Sequence, residues 1–292
     1  MKKLISFVLT AAMLFGMTTA FAIDEGEART VIGADISEAQ KASVYKTFGI
    51  EPGDVKELTV TNAEEREYLD GVVDTSLIGT HSISCIYIKI LAAGKGLDVS
   101  TSNISWCTKE MYRNALATAG IDDAKVIVTS PIQGISGTAA LTGVYKAYED
   151  ITGTKLDTVA KQAGTQELVT TAELADEIGS ADAVMIVNEL KGILSETKKM
   201  SDDELRAEIR KIADDNNVAL SDEEIDSLIS LTRQLEKLDP EQLKAKVEEF
   251  QSMARKFAGA KDKISKFAAS FGEFVQSVGS FLSDLFGGSS KG

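Results

Sequence analysis

The feature that most constrains this chain is a change of periodicity near Leu156. Before it, short apolar or alternating runs take turns with stretches of 3.6-residue period; after it, only the helical period remains. The first pattern requires a sheet with helices packed on it, and the second requires helices packed on helices. The expected fold is therefore α/β, a mixed sheet flanked by helices, followed by a helical C-terminal region. The expected division is a mixed α/β domain at 23–152, a helical region at 153–258, a Phe-rich amphipathic helix at 259–286 and a flexible tail at 287–292.

Within the first half, Arg29 to Gly33 reads as a strand, and Ser37 to Gln40 as a capping box. The helix it opens carries Ala42, Tyr45 and Phe48 on one face and stops at Gly49. Pro52-Gly53 turns the chain into a strand ending at Val60, and Thr61 or Asn62 caps a helix through Leu69. Ser82–Leu91 and Leu97–Trp106 read as a hairpin about the loop Ala93 to Gly96. Thr108 caps a helix ending at Gly120, Lys125–Thr129 is a strand, and Gly137–Ile151 a helix. One hairpin in an otherwise alternating order makes the sheet mixed, not doubly wound.

Beyond Leu156, Ser201-Asp202-Asp203-Glu204 and Ser221-Asp222-Glu223-Glu224 are two helix starts with acids in the first turn, where the helix dipole favours them. Leu205, Ile209 and Ile212 line the first helix, and Ile225, Leu228, Ile229 and Leu235 the second. Asp239-Pro240 starts a third. From Leu243 to Leu285 a heptad pattern runs on, with Phe271 in its stripe and Phe267, Phe274 and Phe281 widening it. Such a stripe suits a helix packed on several neighbours, self-associated, or docked on a cell-envelope or protein partner. Lys261–Phe286 holds three acids and three bases, so the basic face usual in membrane-surface helices is missing.

The N-terminus reads as an export signal. Lys2 and Lys3 precede an apolar stretch from Leu4 to Met17, and Ala20-Phe21-Ala22 offers small residues to a signal peptidase. Residues 1–22 are expected to be removed and the product to be secreted, extracellular or bound at the cell surface. No later stretch has the length and apolarity of a transmembrane helix. The 31 Lys and Arg against 45 Asp and Glu, net −14, argue against nucleic acid, whose phosphates attract clustered bases. One His and two Cys exclude a metal site rich in those ligands, and no motif calls for a cofactor.

Between Ile78 and Glu149 the residues resemble a known family. Ile78-Gly79-Thr80, Ser82-Ile83-Ser84, Asn103-Ile104-Ser105-Trp106, Met111-Tyr112, Asn114-Ala115-Leu116, Thr118-Ala119-Gly120, Ser136 to Gly143 and Lys146-Ala147-Tyr148-Glu149 carry the likeness. The chain resembles the YpuA-like proteins, a secreted family of spore-forming Gram-positive bacteria defined as an exported domain of unknown function. The resemblance runs from about Arg29 to Leu238. It implies an extracytoplasmic location and carries over no catalytic residue; the Phe-rich tail looks less like the family.

The best candidate for chemistry is Thr129 to Thr138, where a strand end, a Gly-rich turn and a helix start follow one another. Backbone N–H groups around Gly134, Ser136, Gly137 and Thr138 form an anion-binding candidate. The turn lacks the Walker lysine and the third dinucleotide glycine, and misses the nucleophile elbow by one residue. The plain alternative is a turn that lets helix and sheet pack closely. His81 is the sole imidazole, so a Ser–His–acid hydrolase would need it, though a surface His at a strand end is the commoner situation. Cys85 and Cys107 read equally as one disulfide or two buried thiols. Asp214-Asp215-Asn216-Asn217 lacks the glycine of a calcium loop, and Glu64, Glu65 and Glu67 read as a solvent face. The expectation is a non-catalytic extracellular binding or interaction protein, with an extracytoplasmic hydrolase acting through Ser130–Thr138 on wall or peptide material as the alternative.

Overall fold

A computed structural model describes residues 25–69, 71 and 78–257. The export signal at 1–22, the Phe-rich helix at 259–286 with Phe267, Phe271, Phe274 and Phe281, and the tail at 287–292 lie outside the described residues.

Five strands form one sheet: β1 (Ala28–Gly33), β2 (Lys56–Val60), β3 (Cys85–Ile90), β4 (Leu97–Ser102) and β5 (Ala124–Thr129). Their order is β2-β1-β3-β5-β4. β1 runs parallel to β2 and β4 parallel to β5, while β3 lies antiparallel to both of its neighbours. Composition follows position. Central β3 is CIYIKI, nearly continuous in apolar residues, because both of its faces are covered. Edge strand β2 (KELTV) carries Lys56 and Glu57, charges that discourage further pairing. Edge strand β4 buries Leu97 and Val99 and leaves Asp98 and Ser100 exposed.

The expected hairpin is corrected here. β3 and β4 follow one another in sequence but are not neighbours, because the chain leaves β4 through a helix and returns as β5 between them. Both segments do form strands, shorter than expected at Cys85–Ile90 and Leu97–Ser102; their pairing depends on the crossover, which strand composition does not encode.

Helices α1 (Glu38–Phe48), α2 (Asn62–Leu69), α3 (Lys109–Thr118) and α4 (Ala140–Thr152) surround the sheet. α1 lays Val44, Tyr45 and Phe48 on Ala28, Ile32, Cys85 and Tyr87 of one face. Ala42, expected on that apolar face, is exposed, and Val44 takes its place. α3 and α4 cover the other face, where Tyr112, Leu116, Val144 and Tyr145 meet Val31, Ile86, Ile88, Val126 and Val128. The capping boxes at Ser37 and Thr108 form, with Gln40 and Met111 as their third residues.

The remaining helices are α5 (Thr158–Ile178), α6 (Ser180–Gly192), α7 (Leu194–Thr197), α8 (Asp202–Asp215), α9 (Asp222–Leu235) and α10 (Pro240–Phe257). Ser201 and Ser221 cap α8 and α9 with full capping boxes. Leu205, Ile209, Ile212, Ile225, Leu228 and Leu235 interlock with Ile186, Val187 and Leu190 of α6 in a second core. Leu168 and Ala172 of α5 and Val184 of α6 join the sheet-side core. The helical region is thus built onto the sheet, with no solvent layer between the two.

Five buried polar side chains tie this junction. Glu167 on α5 and Lys191 on α6 form an ion pair at 2.9 Å with side chains 1% and 2% exposed. Thr118 donates to the same carboxylate at 2.5 Å, and Asn114 donates to Asn188 at 2.9 Å. Nearby, Lys161 pairs with Glu149 at 2.9 Å. Gly164 admits this closeness: a Cβ there would stand 2.5 Å from the carbonyl oxygen of Ala115.

Candidate functional site

Four of the five strands point the same way, so their carboxyl ends and the start of β3 share one edge of the sheet. Ligands of open α/β sheets bind outside such an edge. Both candidates singled out in the sequence, His81 and the Ser130–Thr138 turn, lie there.

The half of the edge beyond β1 and β2 is organised by Ser82. Its N–H donates to Asp35 Oδ2 at 2.7 Å. Its hydroxyl lies 2.9 Å from the Val60 carbonyl oxygen and 2.6 Å from Glu65 Oε1. One hydroxyl proton cannot serve two acceptors. The geometry is satisfied when the Glu65 carboxyl carries a proton, donates it to Ser82 Oγ, and Ser82 donates to Val60. Glu65 is 0% exposed, and its burial raises its pKa above the usual carboxylate range, opposed by the Ser82 and Asn62 hydrogen bonds. The reading of Glu65 as solvent face is therefore corrected: α2 turns this residue inward, and Lys146 on α4 holds its neighbour Glu64.

His81 projects from this corner with its side chain 72% exposed, Nδ1 3.9 Å from Asp35 Oδ2. The adjacent Ser82 hydroxyl is turned inward to Val60 and Glu65.

The other half of the edge is the Gly-rich turn. Ile135 bridges Ile104 in parallel, Ser105 N–H donates to the Ile135 carbonyl at 2.9 Å, and Cys107 N–H donates to the Ser136 carbonyl at 3.1 Å. The Tyr112 hydroxyl donates to the Gly137 carbonyl at 2.5 Å. Asn103, in the left-handed region at φ 61°, donates its side-chain N–H to the Ser130 carbonyl at 2.7 Å. Gly137 has φ +94°, and a Cβ there would meet the Tyr112 hydroxyl at 2.5 Å and Ile104 at 2.6 Å. Gly134 is exposed, Ser136 half-buried, and Thr138 buried ahead of α4, whose start at Ala139 has no side-chain cap. Three consecutive carbonyls thus clasp the turn onto residues 104–112. Ile132 stands out at its tip, 46% exposed.

Cys85 and Cys107 are both free thiols. Cys85 belongs to the α1 side of the sheet and Cys107 to the α3–α4 side, so the sheet separates them and the disulfide alternative is not realised. Burial pushes the Cys85 thiol up to about 11 and raises that of Cys107 as well, which leaves both protonated and unreactive at neutral pH.

At the opposite edge, a shallow cleft with about 30 Å³ of room for water lies where Leu97, Arg113 and Asn114 meet Lys191 and Lys246. Lys246 pairs with Asp122 at 2.8 Å across it. Sequence reasoning missed this cleft and the buried charges on α5 and α6. The available signal was spacing: Ala160, Ala163, Gly164, Glu167, Thr171 and Leu174 follow one another by one, three or four residues on a single helix face. Among the described residues no group of three or more His, Cys, Asp or Glu is placed to hold a metal ion. Among them, too, no helix is long and apolar enough to cross a membrane.

Fold and edge define a mixed α/β domain with a helical extension built onto its core. The chain belongs to the family described as "Protein of unknown function (DUF1002)", which matches residues 32–253. It is 38% identical to "Uncharacterized protein YpuA" of Bacillus subtilis (strain 168), over 98% of this chain and 97% of that protein. No solved structure matches it.

Proposed function

We propose that this chain is an exported protein that binds a cell-envelope or protein partner without catalysing a reaction on it. The observation that carries this reading is how the polar groups of the sheet edge are used. Ser82, Asp35, Asn103 and Tyr112 each hold backbone, and the serine hydroxyl beside His81 is committed to Val60 and Glu65. A hydrolase needs a nucleophile within hydrogen-bond reach of its base. Ser136 belongs to the β4 end of the edge and His81 to the β1–β3 corner. Exposed Ile132 at the turn's tip offers apolar contact instead.

Export is supported by the charged, apolar and small-residue succession at 1–22, and envelope docking by the Phe-rich stripe at 259–286. The test is co-sedimentation of the mature protein with washed cell envelopes, beside a truncation ending at Ala258. Pelleting of the full form alone supports docking through the tail. Hydrolysis of wall or peptide material that disappears with Ser136→Ala or His81→Ala overturns the reading.

A further inference from the structure

Five glutamates are buried among the described residues: Glu65, Glu149, Glu167, Glu189 and Glu208. Glu149, Glu167 and Glu208 each have a lysine partner. No lysine or arginine pairs with Glu65 or Glu189 among the described residues. An ionised carboxylate kept from water without a cation is strongly disfavoured. Glu65 is enclosed within the sheet edge. Glu189 occupies a different setting, between two elements.

Glu189 lies on α6, 2% exposed, and faces the end of α8. Its hydrogen-bond donor is Asn216 Nδ2, at 3.2 Å from Oε1 and 3.3 Å from Oε2, and Asn216 is the C-cap of α8. The C-terminal end of a helix carries partial negative charge. Asp215 adds a full one beside it, and with burial as the larger cause this pushes the Glu189 carboxyl up to about 7. Nearby cations are engaged elsewhere: Lys191 on α6 pairs with Glu167, and Lys211 on α8 with Glu208. From α5, α9 and α10, which also pack on α6, no base pairs with it among the described residues.

We propose that Glu189 is a proton-operated latch: with its carboxyl neutral the turn after α8 is held on α6, and on ionisation that turn is released. The neutral form removes the repulsion from Asp215 and from the α8 terminus. The ionised form restores it at a turn whose polar contact to α6 is one side-chain amide, beside the half-buried Val218 and Leu220. The segment affected is 214–220, whose backbone closes through Asn216 N–H to Ile212, Asn217 N–H to Asp214 and Val218 N–H to Ala213.

The test is hydrogen exchange of the full chain from about pH 6 to about pH 8, corrected for the intrinsic rate. Protection of the Asn216–Val218 amides is expected to fall roughly tenfold across that range. It should be independent of pH in Glu189→Gln, which keeps the Asn216 contact without the charge. In Asp215→Asn the midpoint should move to lower pH. A wild-type profile without a pH step overturns the proposal, as does an unchanged step in Glu189→Gln. Should Glu189→Gln not fold, an unmoved midpoint in Asp215→Asn overturns it as well.

Discussion

Gly137 and Gly134 stand three residues apart in one turn, yet they are glycine for different reasons. Both have positive φ, but an added Cβ meets nothing within 4 Å at Gly134, whereas at Gly137 it collides with Tyr112 and Ile104. Gly134→Ala is therefore expected to cost about 1 kcal/mol of backbone strain, and Gly137→Ala about 2 to 4 kcal/mol once the collision is added. Urea denaturation of the two variants measures the difference. Glu65 gives a second prediction at this scale. Its folded pKa is raised, so the folded state binds more protons than the unfolded one above the ordinary glutamate range, and stability falls as pH rises through that window. Asp150, lowered by Arg29 and Lys56, acts with the opposite sign and loses its contribution as pH falls. Glu65→Gln should remove only the first slope, so thermal melts across pH should show the variant flat where the wild type loses stability with rising pH. Caps were legible at residue scale, since Ser37, Thr108, Ser201 and Ser221 each satisfy an N–H three residues on. Glu65 was not legible, because what buries it is Ser82, distant in sequence and close only once β1 and β3 have paired.

Among the elements, α5 and α6 depend on an exact charge balance where they meet α3. Lys191→Ala leaves the Glu167 carboxylate buried without its cation and should destabilise the protein by about 3 to 5 kcal/mol. Replacing both residues together, as Glu167→Leu with Lys191→Met, should recover most of that loss, and a double-mutant cycle in chemical denaturation reads the coupling. The expected helices α8, α9 and α10 were legible because each start has its own cap and its own apolar stripe. The β3–β4 pairing was misread for a complementary reason. Strand composition reports how buried a segment is, and a hairpin and a crossover bury the same residues to the same degree.

For the whole molecule, the change of period near Leu156 marks a boundary between kinds of secondary structure but not between cores. Leu168, Ala172 and Val184 complete the cluster that backs the sheet. Unfolding should then be a single cooperative transition by calorimetry, and a fragment ending at Asp157 should not fold, since Ala115, Leu116 and Glu149 would face water. A stable fragment with a transition of its own would contradict this.

The reversed central strand has a further consequence for the order of assembly. Each outer pair, β1 with β2 and β4 with β5, is closed by its own helix and can form from contiguous chain. β3 cannot finish its ladder until β5 has arrived, so between Ile90 and Ala124 a nascent chain carries a strand with one side unsatisfied. That strand is the most apolar of the five and the one a stray chain would pair with first. A chaperone that acts on this protein during synthesis would find its natural client in the segment Cys85–Ile90, and its natural release signal in the arrival of Ala124–Thr129.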